Sequence, residues 1–279
     1  MYNELYELFR RNFPDTVRAE STARRLLSAP ENQIFTETRD GSIVGAAVLH
    51  KSNLLMLAVD APYRRQGIGA RLLALAEDAA RAAGYETMSV GAGEDYLTPG
   101  VPTDAPVLDG RLSDAATFFA KRGYRHSWDC ECFDMAMALS DFDAKPETQG
   151  ITYRFAAAGD LAGIHACTDD AHESFTKYYT AEALPHTLIA LDGGEVVGAL
   201  LVNFGTEAPG VGSVGCTSVK HSHRGRRIGV NLTILGTKAL RDAGMTRAFL
   251  GYTYSGLDKM YGYAGYGICK WYYMAKKEL

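Results

Sequence analysis

Hydrophobic and polar positions alternate along this chain with two different periods, and the periods follow each other in a fixed order. In the first half, NQIFTET (32–38) and IVGAAVLH (43–50) read as strands joined by a hairpin turn at Asp40-Gly41. The apolar run LLMLAV (54–59) predicts a third strand. From residue 68 to residue 83 the spacing becomes helical, and Gly84 closes that helix. A strand TMSVGA (87–92), a short helix DAATFFAKR (114–122) and two final strands, RHSWD (125–129) and CECFDMAMA (130–138), complete a half that opens with one or two helices. The second half repeats this order as HTLIAL (186–191), EVVGALLVN (195–203), VGCTSV (214–219), a helix over 228–243, RAFLGY (247–252), a helix over 257–264 and KWYYMA (270–275).

The repetition extends to residues. AAGYETMSVG (82–91) matches DAGMTRAFLG (242–251), and RRQGIGARLL (64–73) matches RGRRIGVNLT (224–233), both 160 residues later. GSIVGAAV (41–48) matches GEVVGALL (194–201) 153 residues on, and FFAKRGY (118–124) matches MYGYAGY (260–266) 142 residues on. The offsets change only where loops intervene: seven extra residues around FGTEAPGVG in the second half and eighteen around EDYLTPGVPTDAPVLDGR in the first. Insertions confined to loops indicate a duplicated domain. Strand hairpins mixed with helices predict an α+β class, a partly antiparallel sheet flanked by helices in each half. The expected boundaries are a first domain over 1–140, a polar linker over 141–150 and a second domain over 151–279.

Composition narrows the function classes. The chain has 279 residues, 47% hydrophobic and 22% charged, which suits a globular protein with two domains of about 140 residues each. A net charge of −4 argues against general binding to nucleic acid or an anionic membrane. The amphipathic start MYNELYELFRRNF does not read as a signal peptide, and the five cysteines form no CxxC pair, so reduced thiols in a cytoplasm are expected. Cys130 and Cys132 alternate along a strand and would face opposite ways, so no metal is expected.

The duplicated basic turn carries the candidate chemistry. Amides at a helix start have no partner within the helix and sit at its positive end. Glycine lets an anion approach that backbone, and arginines add charge. A strand followed by RRQGIG and a helix can therefore cradle a diphosphate; a solvated basic helix start reads equally well from one copy. Walker and GxGxxG fingerprints are absent.

Val59-Asp60-Ala61-Pro62-Tyr63-Arg64-Arg65-Gln66-Gly67-Ile68-Gly69 resembles motif A of the GNAT superfamily, the acyl-CoA-dependent N-acyltransferases: strand, R/Q-x-x-G-x-G/A, helix. The element order of each half is similar too, so nearly the whole chain resembles a tandem GNAT protein. The resemblance implies that acetyl-CoA is held by Arg64, Arg65, Gln66, Gly67, Ile68, Gly69 and Ala70, with the strand positions Leu57 and Val59. In the second half it implies Arg224, Gly225, Arg226, Arg227, Ile228 and Gly229, with Thr217 and Val219. Arg227 stands where the pattern has glycine, as in Gly67, which puts diphosphate binding there in doubt. In many members a tyrosine on the helix after the fifth strand, four residues before a GF or GY pair, protonates the leaving thiolate. That position is Tyr261 in the second half and Phe119 in the first. Catalysis is therefore expected in the second half, although Tyr261 also reads as a packed core tyrosine.

The helices opening the second half, CTDDAHESFTKYY, lie where this fold covers its acceptor pocket. Asp169, Asp170 and Tyr178 are the candidate acceptor residues there, Glu173 the candidate proton acceptor, and Tyr252 and Tyr254 candidates on the opening strand; each also reads as solvated surface. Cys216 reads as a small buried residue rather than a nucleophile. In the first half the rigid GEDYLTPGVP segment reads as a lid or a contact. The expected activity is acetyl-CoA-dependent acetylation of a primary amine of a small molecule, of amino-sugar or aminoglycoside type, by a monomer or homodimer. A non-catalytic CoA-binding module, a mycothiol-synthase-like thiol-biosynthesis enzyme and a protein acetyltransferase are the alternatives.

Overall fold

The structure is a computed structural model describing residues 1–91, 93, 96–148 and 150–279, the side chains of Thr206 and Glu207 excepted. Ala92 at the end of the TMSVGA strand, Glu94 and Asp95 of the long insertion and Gln149 of the linker lie outside the described residues. In chain order the first half holds α1 (Tyr2–Asn12), α2 (Glu20–Leu27), β1 (Asn32–Arg39), β2 (Ser42–His50), β3 (Asn53–Val59), α3 (Ile68–Ala82), β4 (Thr87–Val90), β5 (Val101–Thr103), α4 (Asp114–Ala120), β6 (Arg125–His126) and β7 (Cys132–Ala138). The second holds β8 (Thr152–Phe155), α5 (Leu161–His172), β9 (Thr187–Asp192), β10 (Glu195–Ala208), β11 (Val211–Val219), α6 (Ile228–Asp242), β12 (Arg247–Tyr254), α7 (Asp258–Gly262), β13 (Gly267–Tyr273) and β14 (Ala275–Glu278).

The compact units are not the two halves of the sequence. One unit is Met1–Phe133 with Lys270–Leu279; the other is Asp134–Cys269. The expected boundaries at 140 and 151 are corrected by strand pairing. In the first unit the sheet runs β1-β2-β3-β4-β14-β6, with β14, the last strand of the chain, antiparallel to both β4 and β6. In the second unit β7, β12, β11, β10, β9 and β8 follow one another, and β7, the last strand of the first half, supplies most of its residues there. A strand is placed by its backbone partners, and sequence position does not constrain which sheet offers them.

The first unit buries both faces of its sheet. Leu5, Leu8 and Phe9 of α1 and Leu26 and Leu27 of α2 pack on Val48, Leu55, Met56 and Ala58. Ile68, Leu72, Leu73 and Ala76 of α3 pack on Val44, Ala47, Leu49 and Leu54 of the opposite face. Each such leucine contributes about 1.5–3 kcal/mol by leaving water. The second unit repeats the plan, with Ile164 and Cys167 of α5 against Ile189, Val196 and Ala199. In both units the helix after the basic turn presses close on a strand glycine. A Cβ at Gly45 would meet Ile68 Cγ2 at 3.0 Å, and one at Gly198 would meet Ile228 Cγ2 at 2.9 Å. This pair fixes where each helix begins.

Candidate active site

The two basic turns have the same backbone and exchange their glycines. In the first, Arg65 (φ 63°) and Gly67 (φ 79°) are left-handed; in the second, Gly225 (φ 80°) and Arg227 (φ 59°) are. Each turn thus places one glycine and one arginine in the two left-handed positions, and Arg227 takes up the conformation of Gly67 at a cost of about 1–2 kcal/mol. Gly67 and Arg227 are the helix N-caps, and neither helix start receives a side-chain cap. The first backbone bonds are Arg71 N–H to Gly67 O at 3.1 Å and Asn231 N–H to Arg227 O at 2.9 Å. The preceding amides, those of Ile68, Gly69 and Ala70 and of Ile228 and Gly229 among them, point out of the helix end, an anion-binding arrangement.

The side chains at the turns divide into those that build them and those left at the rim. Arg64 Nε donates to Val59 O at 2.8 Å and Arg224 Nε to Val219 O at 3.4 Å, so both arginines tie the turn back to its strand. Gln66 is bonded to Pro62 O and Arg226 is paired with Asp192 at 2.7 Å. Ile68 and Ile228 are buried core residues whose amides alone face the turn. Arg65 is exposed, and Arg227 lies over the Tyr263 ring and beside Glu147.

In the second unit β11 and β12 pair in parallel at Val211–Arg247 and Gly212–Ala248, the pairs found between them among the described residues. Carried along that register, Cys216 is level with Tyr252 and Thr217 with Thr253. Both Cys216 (φ 50°) and Tyr252 (φ 58°) are left-handed, so the strands kink at one level. Each kink is held by a buried partner: Tyr179 Oη donates to Cys216 O at 2.6 Å, and Tyr252 N–H donates to Asp134 Oδ1 at 2.9 Å. Past the kinks, the hydroxyls of Thr217 and Thr253 are buried and have no hydrogen-bond partner among the described residues. An unpaired buried hydroxyl costs about 1–3 kcal/mol, so each calls for a ligand or water.

Tyr261 of α7 lies close to Cys216 and Thr217 of β11. A Cβ at Gly229, in the first turn of α6, would lie 3.1 Å from Met260 Sδ, 3.7 Å from Val219 Cγ2 and 3.8 Å from Thr217 Cγ2, which brings α7, β11 and the uncapped turn together. The Tyr261 phenol is buried, which raises its pKa above the ordinary value. The edge of Tyr266 packs on it with ring centres 6.2 Å apart. Cys216 is buried and its thiol pushed up to about 11, so it is protonated at neutral pH and a poor nucleophile.

The acceptor-side candidates fare unevenly. Asp170 accepts the His221 backbone N–H at 2.7 Å, which lowers its pKa, so it caps the turn before Arg224. Asp169 accepts from Thr176 Oγ1 at 2.6 Å. Tyr178 is exposed with Lys177 over its ring, whereas Tyr179 is buried and reaches β11. Glu173 is exposed where α5 gives way to a 3-10 turn, and Tyr254 is exposed on β12. Asp134 was missed, yet a carboxylate inside the apolar run CFDMAMA is the signature of a buried polar anchor. Thr253 carried no such signal.

The first unit has filled the equivalent space. Here β3 and β4 pair at Asn53–Ser89 and Leu54–Val90, and β4 then ends. The insertion folds back so closely that a Cβ at Gly91 would lie 2.3 Å from Thr98 O. Leu97 is 1% exposed and packs with Leu55, Met56 and Ala58 beneath α1 and α2, while Arg18 covers the Tyr96 ring at 4.2 Å. A Cβ at Gly69 would meet Phe118 at 3.6 Å and Val59 Cγ2 at 3.8 Å, so Phe118 corresponds to Met260 and Phe119 to Tyr261. Leu57 corresponds to Thr217. Neither Leu57 nor Phe119 has a hydroxyl.

Solved structures share this architecture along the whole chain. A glucosamine N-acetyltransferase region of a fungal multi-domain GH3 β-N-acetylglucosaminidase is 19% identical, with a TM-score of 0.77 over 99% of this chain and 36% of that one. This chain therefore spans little more than a third of the fungal protein. A GCN5-related N-acetyltransferase from Sphaerobacter thermophilus is 18% identical (TM-score 0.74, 99% of this chain and 91% of that one). A tandem GNAT protein from the clavulanic acid biosynthesis pathway is 17% identical (TM-score 0.70, 99% and 94%). Likeness at these identities speaks to fold alone. No curated protein matches by sequence. The family model described as Acetyltransferase (GNAT) family matches residues 2–98 and again 157–263, one strand–turn–helix core each time. Two such matches on one duplicated fold make this chain a tandem member of the GNAT acetyltransferase family.

Proposed function

We propose that the second unit transfers an acetyl group from acetyl-CoA to a primary amine of a small molecule, and that the first unit does not catalyse. The observation that carries this reading is the contrast at β11, β12 and α7 and their counterparts: three buried hydroxyls, of Thr217, Thr253 and Tyr261, in one unit, and leucine, phenylalanine and a folded-back loop in the other.

The residues of the second unit suit acetyl-CoA. The uncapped amides from Arg227 to Gly229 would hold its diphosphate, and the orphaned hydroxyls its acyl end. Acetyl-CoA supplies an acetyl group already activated as a thioester. Tyr261, kept protonated by burial, holds a proton for the departing sulfur. Tyr179 and Asp134 keep the two kinked strands apart. Glu173, exposed at the end of α5, takes the amine proton through water. Tyr252 and Tyr254 line the acceptor side, and their phenols suit a hydroxylated amine such as an amino sugar or aminoglycoside.

Thiol release from acetyl-CoA against amino sugars, aminoglycosides, polyamines, amino acids and peptides tests the reading. Turnover confined to small hydroxylated amines supports it, and preference for peptides would move the protein to another acceptor class. Calorimetry detecting no acetyl-CoA bound to the full chain would end it.

A further inference from the structure

The polar segment between the two halves of the sequence lies along α6 as a strap. Leu139 N–H donates to Thr246 O at 3.0 Å, and Arg241, near the end of α6, donates to Phe142 O at 3.4 Å with its guanidinium over the Phe142 ring. Phe142 is buried, Asp143 and Lys145 are exposed, and Ala144 and Pro146 are half-buried, the alternation of an extended chain with one face on a surface. Pro146 fixes its own φ and disfavours helical backbone at Lys145. An extended chain advances about 3.3 Å per residue and a helix about 1.5 Å. The stretch from Phe142 to Glu147 therefore matches the rise of α6 from Arg241 back to Asn231, about 15 Å.

The strap ends at the second basic turn. Asn231, in the first turn of α6 and 1% exposed, holds the Glu147 backbone through both of its groups. Glu147 N–H donates to Asn231 Oδ1 at 3.0 Å, and Asn231 Nδ2 donates to Glu147 O at 2.8 Å and to Tyr153 Oη at 3.1 Å. This clamp delivers the Glu147 carboxylate to Arg227, the N-cap of α6, with Oε2 3.5 Å from Nε. The contact is an ion pair without a hydrogen bond, since Arg227 Nε is buried and has no hydrogen-bond partner among the described residues. The guanidinium already lies over the Tyr263 ring, and Glu147 is exposed, so the carboxylate adds little to the placing of Arg227. What it does add is a negative charge at the helix end that attracts anions. The first unit lacks this arrangement: on α3, Arg71 and Ala74 are exposed where Asn231 and Ile234 of α6 are buried.

We propose that residues 142–148 form an autoinhibitory strap in which Glu147 is a built-in competitor for the cofactor, its carboxylate held where the diphosphate of acetyl-CoA must push it aside. This rests on the reading of the second turn as the diphosphate site. The strap lowers the affinity of that turn for any diphosphate and leaves the acyl end of the site alone.

Calorimetry on the full chain with acetyl-CoA, inorganic pyrophosphate and S-acetylpantetheine tests this. Glu147→Gln keeps the backbone clamp and removes the charge. It should tighten acetyl-CoA and pyrophosphate about two- to fivefold at low salt, and the gain should shrink as added salt screens exposed charges. S-acetylpantetheine, which has no diphosphate, should gain nothing. Asn231→Ala should free the carboxylate with a similar gain, and combining the two changes should add little more. Thermal melts show whether Asn231→Ala is folded, and Glu147→Gln, at an exposed position, decides alone where it is not. Unchanged or weaker binding of acetyl-CoA and pyrophosphate by Glu147→Gln overturns the proposal, and wild-type binding of acetyl-CoA would then leave the diphosphate reading standing. An equal gain for S-acetylpantetheine overturns it too. Tighter pyrophosphate with no acetyl-CoA bound by either protein would keep the competitor and remove the acetyl-CoA reading.

Discussion

On β11 and β12, Cys216 and Tyr252 each take up left-handed backbone, and the buried hydroxyls of Thr217 and Thr253 follow them. At the same place in the first unit, β4 stops at Val90 and the chain doubles back to bury Leu97. Duplication kept the scaffold in both: strand, uncapped basic turn, helix pressed on a strand glycine. The side chains beyond the turn differ, with Leu57 and Phe119 standing where Thr217 and Tyr261 do. The turns show how little the backbone requires of side chains, since glycine and arginine trade the two left-handed positions and the curve survives. A gap between strands is less tolerant, because an apolar segment that can fill it gains hydrophobic burial and an acyl chain can no longer enter.

Each part of that comparison can be broken. The largest effect should come from removing residues 275–279, since β14 lies between β4 and β6. Amide hydrogen exchange should show protection lost across 87–90, and retained protection there would mean the exchanged strand is dispensable. Tyr261→Phe should lower kcat about 100-fold with KM for acetyl-CoA within about twofold, and adding Phe119→Tyr should restore nothing. Recovery by the second change would show that the first unit is still a potential catalyst. Because burial raises the Tyr261 pKa, the alkaline fall in kcat should begin above about pH 10. Leu97→Ala should cost about 2–4 kcal/mol in denaturant melts and leave turnover unchanged. Gly67→Ala should cost about 1 kcal/mol, whereas Arg227→Gly should cost nothing or stabilise slightly, read from the same melts.

The smallest effect concerns acid. Asp160 accepts from Arg154 and from the Ala157 backbone N–H, which hold it down to about 2. A depressed carboxylate pKa contributes stability above the unfolded value, about 4, that is lost as pH falls toward 2. Asp160→Asn should therefore cost about 1 kcal/mol at pH 7 and flatten the acid melting of the second unit between about pH 4 and pH 2.

Much of this was legible in the order of residues. The hydrophobic periods located β1 to β4 and β9 to β12, and the repeat at 160 residues paired Phe119 with Tyr261 before any contact was known. Those features are local, set by side-chain period and turn chemistry within a few residues. Thr253 was not legible as a site residue, since its burial depends on strands and loops far away in sequence. That Tyr179 is buried and Tyr178 exposed was not legible either, because adjacent residues in irregular backbone carry no periodicity to tell inside from outside.

The sequence by itself therefore determined the duplicated α+β plan, the two basic helix starts and the family they belong to. Only the tertiary structure decided which sheet receives β7 and β14, which gap stays open, and that Arg227 can stand in for glycine. Backbone pairing between distant strands and the room left between them arise from the whole packed chain, and no short stretch of residues encodes them.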